Sequence, residues 1–295
     1  MTSRDVVGAL DIGGTHVSGG RVNVASASLE TGSHTFEPLP AAAGRAELLA
    51  AISRVTRSIA QPDLAILGVS VPGPFDYSSG VSEITHKLES LHRVDLRAEL
   101  QAAAALQDPS EIRFLNDAEA FVLGEWWTGA ARGHPRAVGI TLGTGLGSAF
   151  CDNGEIVRSG AGVPPGGELY AVQFRGSPVE QTISRAALLA AYGTRSEGGV
   201  DVEQIADRAL AGEPSAQRVF AELGSNLGQF LAPWLRAFEP SCLVVGGSIA
   251  RSWDLFESTL LGALEPITGL RAVTVAAQLE DAQLLGAAFY AADPR

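Results

Sequence analysis

The apolar positions of the chain fall in short runs that end at glycine, proline or an Asn-Asp pair. The runs richest in Val, Ile and Leu are Val6–Ile12, Leu64–Val71, Ile112–Leu115, Ala137–Leu142 and Cys242–Val245. Continuous apolar runs of about four to eight residues between turn signals predict buried strands. Each of these predicted strands is therefore followed by a polar or glycine-rich turn, which we expect at the edge of a sheet.

Segments with a helical spacing of apolar residues separate most of these runs. They are Arg45–Ser58, Asp95–Leu106, Ala118–Trp127, Val179–Tyr192, Val202–Ala211, Ser215–Phe238, Trp253–Leu264 and Ala282–Tyr290. Pro233 is expected to kink or end its helix, because it lacks a backbone N–H and its ring clashes with the preceding turn. The alternation of buried strands with helices predicts an α/β fold.

A glycine-rich turn follows a predicted strand twice, near residues 13 and 143, which indicates two related halves. No low-complexity linker lies between the halves. We therefore predict two domains that meet at a hinge near residue 117. Residues 1–117 with 281–295 form the smaller first domain, and residues 118–280 form the larger second domain.

Composition narrows the possible partners. The chain has 295 residues, of which 46% are hydrophobic, so it can bury a sizeable core. Its formal net charge of -12 argues against binding to nucleic acid or to anionic membranes, because both surfaces are negatively charged. The sequence shows neither a signal peptide nor an apolar run of about 18 residues, which predicts a cytoplasmic protein without a membrane span.

Cysteine and histidine usage bears on metal binding. The two cysteines, Cys151 and Cys242, lie in separate strand-like runs, and the five histidines are scattered. A structural zinc site needs about four nitrogen or sulfur ligands at close spacing. We therefore predict buried thiols and no zinc.

Two glycine turns are candidates for phosphate binding. Asp11-Ile12-Gly13-Gly14-Thr15 and Thr141–Gly147, which contains Thr144 and Gly145, each follow a strand. Glycines let backbone N–H groups approach phosphate oxygens, and the threonine hydroxyls add donors. An ordinary hairpin turn explains one such motif equally well, but two of them fit a clamp on one polyphosphate. Asp11 can hold Mg²⁺ through water.

Three further motifs carry side chains or backbone suited to a ligand. Asp117, after Asn116 at a strand end, can accept a proton from a hydroxyl group, although a helix cap is an equally ordinary role for either residue. Glu168 and Glu180 can accept hydrogen bonds from vicinal hydroxyls, although solvated glutamates are commoner. Gly246-Gly247 after a strand can form a flat shelf for an adenine, or a plain turn.

In this order the motifs resemble those of the ROK (repressor, ORF, kinase) family, and of its glucokinase-like members, over nearly the whole chain. The matching segments are Asp11–Thr15, Val71–Pro74, Leu115–Ala118 with Gly124-Glu125, Thr141–Gly147, Asn153-Gly154 with Gly160 and Gly162, and Glu239-Pro240 with Val245–Gly247. The resemblance implies a two-domain actin-like ATPase fold, of the ribonuclease H-like, hexokinase-clan type, with a cleft between the domains. It also implies a homodimer.

The resemblance implies ATP- and Mg²⁺-dependent transfer of a phosphoryl group to a hexose or a sugar-like polyol, usually at the 6-position of the hexose. Asp117 matches the family's catalytic base. The implied acceptor ligands are Gly73, Asn116, Glu168 and Glu180. The implied nucleotide ligands are Asp11, Gly13, Gly14, Thr15, Thr144, Gly145, Gly246 and Gly247, and Asp11 would also hold Mg²⁺ through water.

The chain departs from the family pattern in three places. Ala171 stands where a histidine follows the Gly-Glu pair, and the zinc-binding cysteine cluster after it is missing. His16 stands where a lysine is common, so one fixed cation beside the first turn is lost. Lys87 falls in an altered sugar-side loop, where it is either a substrate contact or a solvated lysine.

Two other functions stay open at this point. One is a sugar-responsive regulator without a DNA-binding domain, since Asp11 lies too near the start for a helix-turn-helix ahead of it. The other is a sugar-binding protein that is catalytically weak or inactive. Assay of turnover separates both from a kinase.

Overall fold

The computed structural model describes residues 5–85, 88–193, 199–278 and 281–293. The candidate substrate contact Lys87 lies outside the described residues. Both cysteines are buried, and neither forms a disulfide. No helix within the described ranges is long and apolar enough to cross a membrane.

The strands are β1 (Val6–Ile12), β2 (His16–Asn23), β3 (Ser28–Leu29), β4 (Thr35–Pro38), β5 (Leu67–Val71), β6 (Phe75–Asp76), β7 (Val81–Ser82), β8 (Ile112–Asn116), β9 (Arg136–Leu142), β10 (Leu146–Asp152), β11 (Glu155–Ile156), β12 (Gln173–Phe174), β13 (Ser177–Pro178), β14 (Cys242–Gly246) and β15 (Ala272–Val275). The α-helices are α1 (Arg45–Ile59), α2 (Leu96–Ala104), α3 (Asp117–Trp127), α4 (Arg185–Ala191), α5 (Val202–Leu210), α6 (Pro214–Phe238), α7 (Glu257–Leu264) and α8 (Ala282–Ala292).

The chain divides into two compact units, Met1–Gly129 with Glu280–Arg295, and Ala130–Leu279. The division places α3 in the first unit, twelve residues beyond the hinge position suggested by the sequence. The reason is the packing of α3 against α8. Gly124 of α3 lies against the carbonyl of Ala282, and Gly286 of α8 lies against the carbonyl of Ala120, with no room for a Cβ at either glycine. The two backbones therefore pack directly on each other.

The first unit is built on a sheet in the order β3-β2-β1-β5-β8, with β4 also paired to β2. β1 and β2 are antiparallel, whereas β1, β5 and β8 run parallel. Parallel strands bring their carboxyl ends to one edge of the sheet. Asp11, Val71 and Asn116 therefore lie at or next to the carboxyl ends of neighbouring strands.

The second unit repeats this arrangement in the order β11-β10-β9-β14-β15. β9 and β10 are antiparallel, whereas β9, β14 and β15 run parallel. The turn between β9 and β10 and the end of β14 consequently share an edge, where Gly246 pairs with Thr141. This repeat is the duplication that the glycine turns indicate.

Helix α6 contains Pro233 within its span. It continues beyond Pro233 to Phe238, so the proline does not end the helix. Its buried face includes Phe220, Leu227 and Leu231, which belong to the core of the second unit. Burial of such side chains, at about 1.5 to 3 kcal/mol each, offsets the hydrogen bond that proline removes.

Candidate active site

The first glycine turn joins β1 to β2. The N–H of Gly13 donates to the carbonyl of His16 at 2.8 Å, which closes the hairpin. Thr15 is exposed at the tip, and Gly13 and Gly14 are partly exposed. The Oγ1 atom of Thr15 lies 3.3 Å from Nδ1 of His16. The turn thus presents glycine backbone and a hydroxyl to solvent, as a phosphate site requires.

Asp11 is the penultimate residue of β1, next to this turn. The hydroxyl of Ser70, on the adjacent strand β5, donates to Oδ1 of Asp11 at 2.6 Å. The pKa of Asp11 is raised to about 7, chiefly by burial and in smaller part by the negative charge of Asp117, while the hydrogen bond from Ser70 lowers it. Two carboxylates that repel each other favour a cation beside them. The sequence does not indicate Ser70, which lies 59 residues from Asp11.

Asn116 and Asp117 occupy the junction of β8 and α3. Oδ1 of Asn116 accepts from the N–H of Ala118 at 2.9 Å, and Glu119 completes a capping box. The cap of α3 is therefore Asn116. Asp117 occupies the first helical position and is partly exposed.

The side-chain amide of Asn116 also makes a contact that the sequence does not indicate. Its Nδ2 donates to the hydroxyl of Tyr77 at 3.1 Å, and that hydroxyl donates to the carbonyl of Val71 at 3.2 Å. Gly73 lies between Val71 and Tyr77 in the turn after β5, and a Cβ on Gly73 would lie 3.6 Å from the Tyr77 hydroxyl. Tyr77 thus fixes both the amide of Asn116 and the turn that contains Gly73.

In the second unit, the turn between β9 and β10 is closed by the N–H of Gly143, which donates to the carbonyl of Gly145 at 3.0 Å. Thr144 is exposed at its tip. Oε1 of Glu180 accepts from the N–H of Leu146 at 2.8 Å. Gly145 packs directly on that carboxylate, which would have to shift to admit a Cβ. Glu180, expected among the acceptor ligands, therefore also supports this turn.

Arg185 is a second support that the sequence analysis missed. The backbone N–H of Arg185 donates to the carbonyl of Gly143 at 2.9 Å. Its guanidinium forms an ion pair with Asp201 at 2.9 Å. Since Asp201 is the N-cap of α5, this pair ties the turn to that helix.

Glu168 is exposed on a short segment anchored to β10. The buried hydroxyl of Ser148 donates to the carbonyl of Gly167 at 2.6 Å and accepts from the N–H of Leu169 at 2.9 Å. These bonds hold the backbone on both sides of Glu168. The hydroxyl of Tyr170 donates to Oε2 of Glu168 at 3.2 Å.

Gly246 ends β14, and Gly247 follows with φ of 85°. A Cβ on Gly247 would collide with the backbone of Leu142, so only glycine fits there. A cavity of about 520 Å³ lies beside this turn. Its lining includes Ser248, Ile249, Arg185, Asp201 and Arg251. Its volume lies in the range of small-molecule sites.

No group of three or more His, Cys, Asp or Glu side chains in the described ranges is arranged to hold a metal ion. Mg²⁺ in phosphate sites usually takes one or two carboxylates, the phosphates and several waters. Asp11, whose raised pKa reports an unfavourable negative charge, fits that limited role.

Comparison with known proteins identifies relatives over most of the chain. A model of the ROK family matches residues 7–293. Glucokinase of Thermotoga maritima is 28% identical over 249 residues, which are 75% of this chain and 77% of that protein. Beta-glucoside kinase of Klebsiella pneumoniae is 27% identical over 256 residues, 82% of each chain.

A solved structure shows the same fold. A ROK family glucokinase from Streptomyces griseus, in complex with glucose and AMPPNP, superimposes with a TM-score of 0.76. It is 22% identical, and the match covers 96% of this chain and 98% of the other. The actin-like ATPase fold expected from the motifs is thereby confirmed.

Proposed function

The chain belongs to the ROK family, and we propose that this ATP-dependent sugar kinase phosphorylates a hexose or a sugar-like polyol, at the 6-hydroxyl where the acceptor is a hexose. The observation that carries the proposal is the state of Asp117. It is partly exposed at the start of α3, where Asn116 is the N-cap and Oδ1 of Asp117 accepts from the N–H of Ala118 at 3.0 Å. The partial exposure supports access of an acceptor hydroxyl to this carboxylate.

We propose that the two glycine turns hold the phosphates of ATP. The backbone of Gly13 and Gly14 with the Thr15 hydroxyl would contact them from the first turn. Thr144 and Gly145 would do the same from the second turn. Exposed hydroxyls at both tips support this assignment. Backbone N–H groups bind phosphate oxygens without any fixed cation, which suits an acidic chain.

The adenosine is assigned to the second unit. Gly246 and Gly247 would form the shelf, and the cavity beside Ser248 would receive the base and ribose. Mg²⁺ would be held by Asp11 through water, and when bound it neutralises charge on the phosphates. The Ser70 hydrogen bond orients the Asp11 carboxylate for that contact.

The acceptor is assigned to Gly73, Asn116, Glu168 and Glu180. Asp117 would accept the proton of the attacking hydroxyl, and Asn116, whose amide Tyr77 positions, would direct that hydroxyl. In phosphoryl transfer the protein contributes mainly positioning and charge stabilisation, so no covalent enzyme intermediate is required.

The test is an ADP-release assay with Mg²⁺-ATP over a panel of hexoses, amino sugars and cyclitols, with water as the blank. We expect rates well above the blank for at least one hexose, with the product phosphorylated at the 6-position by NMR. Binding of sugar without any ADP release over the whole panel would instead favour the inactive sugar-binding protein.

We propose a cytoplasmic homodimer, as the family resemblance implies. Sedimentation equilibrium of the purified chain tests the dimer: a single species of twice the 30.6 kDa chain mass supports it, and a monomer contradicts it.

A further inference from the structure

Tyr170 lies next to Glu168 on the anchored segment of the second unit. Leu169 between them is fully buried, whereas Tyr170 is 48% exposed. The hydrogen bonds of Ser148 to Gly167 and Leu169 fix the backbone from which both side chains project. The fold therefore sets the backbone position from which the Tyr170 ring projects.

The phenol of Tyr170 is electrostatically linked to both candidate acceptor glutamates. Its hydroxyl donates to Oε2 of Glu168 at 3.2 Å. Partial burial raises the pKa of Tyr170, and the negative charges of Glu168 and Glu180 raise it further. The phenol thus stays protonated and continues to donate to Glu168. Ala171, the next residue, offers no hydrogen-bonding side chain.

An exposed tyrosine beside two carboxylates has a defined recognition chemistry. Its ring offers an apolar face, and its hydroxyl oxygen can accept a hydrogen bond while its proton is donated. A cyclic sugar or cyclitol presents C–H groups on one face and hydroxyls at its rim. An open-chain polyol has the hydroxyls but no fixed apolar face.

We propose that Tyr170 is a specificity-determining residue of the acceptor site, where its ring packs on the apolar face of a cyclic acceptor while its hydroxyl orients Glu168. This inference rests on the proposed function in one respect, the assignment of Glu168 and Glu180 to the acceptor. It adds a selection for cyclic over open-chain polyols.

The test measures equilibrium binding, so that it does not depend on turnover. Isothermal titration calorimetry with D-glucose and with D-glucitol is performed on the wild type, Tyr170→Phe and Tyr170→Ala. Tyr192→Phe is the matched control, because Tyr192 makes the same kind of bond, to Oε1 of Glu213 at 2.6 Å, elsewhere in this unit. Thermal unfolding checks that each variant folds.

We expect the wild type to bind glucose more tightly than glucitol. Tyr170→Phe should weaken glucose binding roughly three- to tenfold, the equivalent of one hydrogen bond. Tyr170→Ala should weaken it by about a further fivefold and remove most of the preference over glucitol, since the aromatic face is lost. Tyr192→Phe should bind both sugars as the wild type does.

Two results overturn the inference. One is glucose binding by Tyr170→Ala within twofold of the wild type, and the other is equal binding of glucose and glucitol by the wild type. If the wild type binds glucose in this Tyr170-dependent way but releases no ADP with any acceptor, the proposed kinase activity fails while the role of Tyr170 holds.

Discussion

The carboxylate of Glu180 accepts a hydrogen bond from the backbone N–H of Leu146 at 2.8 Å. A residue assigned to the acceptor thus also holds the second glycine turn, which is assigned to the phosphates. Gly145 packs directly on the same carboxylate, so Glu180 contacts two neighbouring residues of the turn. Within the second unit, acceptor binding and phosphate binding are therefore expected to be linked through Glu180.

Two substitutions of Glu180 separate these roles. Glu180→Gln keeps an oxygen that can accept from Leu146, so nucleotide affinity should stay within about twofold while the sugar KM rises. Glu180→Ala leaves a buried N–H without this partner, and AMPPNP should bind roughly three- to tenfold more weakly. Calorimetry with AMPPNP and sugar KM measurements check both. Unchanged AMPPNP binding in Glu180→Ala would contradict the link.

Asp11 is expected to make stability depend on pH. Its folded-state pKa is raised from 3.8 to about 7, so the folded chain keeps this proton where the unfolded chain has lost it. The stability contributed by the neutral form is present at low pH and is lost as the pH rises to about 7.

Asp11→Asn removes this dependence and keeps an acceptor for Ser70. In metal-free buffer, the free energy of unfolding of Asp11→Asn relative to the wild type should increase by on the order of 1 to 3 kcal/mol between pH 5 and 8. Urea unfolding at several pH values measures the difference. A difference that is constant with pH would refute the expected titration.

His16, beside the first glycine turn, stands at the position where the motifs of the family commonly have a lysine. Its ring stacks on Phe36 at 5.2 Å, and partial burial lowers its pKa, so it is mainly neutral at pH 7.5. His16→Lys should tighten ATP binding roughly fivefold at low salt, the equivalent of about 1 kcal/mol for charges near 4 Å in water.

His16→Gln is the neutral control for this change and should bind ATP as the wild type does at pH 7.5. The gain in His16→Lys should shrink as salt is added, because salt screens exposed charges. If ATP binding by His16→Lys equals that of the control at low salt, the first turn does not contact the phosphates.

Substitution of Gly247 tests whether Gly246 and Gly247 form the flat surface proposed to bind the adenine. The φ of 85° at Gly247 and its contact with the backbone of Leu142 leave no place for a Cβ. Gly247→Ala should cost about 1 to 3 kcal/mol of stability and weaken nucleotide binding. Gly262→Ala is the control, because a Cβ at this position of α7 would lie in open space. It should leave the free energy of unfolding unchanged or raise it by up to about 1 kcal/mol. Urea unfolding and nucleotide titration of both variants check this, and normal binding by Gly247→Ala would argue against the shelf.

The sequence predicted the parts of the site that depend on local order along the chain. A strand that ends in Gly13-Gly14 or Asn116-Asp117 is visible as a pattern, because the apolar run and its turn are adjacent. The strand–helix alternation likewise predicted the fold class, which the solved relative confirms. The assignment of catalytic and binding roles to these residues stays a prediction.

The contacts that hold the site residues in place could not be predicted from the sequence. Ser70 reaches Asp11 across 59 residues, and Glu180 reaches Leu146 across 34. Strand pairing and loop packing bring these side chains together, and a single sequence carries no signal of either. The packing of α3 on α8 is equally non-local, which is why the boundary between units lies beyond residue 117 in the structure.

Asp117 is proposed to accept the proton of the acceptor hydroxyl, and steady-state kinetics of Asp117→Asn tests this role most directly. Asp108→Asn, a change at another aspartate of the first unit, serves as the control. We predict that Asp117→Asn lowers kcat by roughly 10²- to 10⁴-fold, while AMPPNP binding stays within about twofold of the wild type. Near-normal kcat in that variant, with the control also active, would contradict the account.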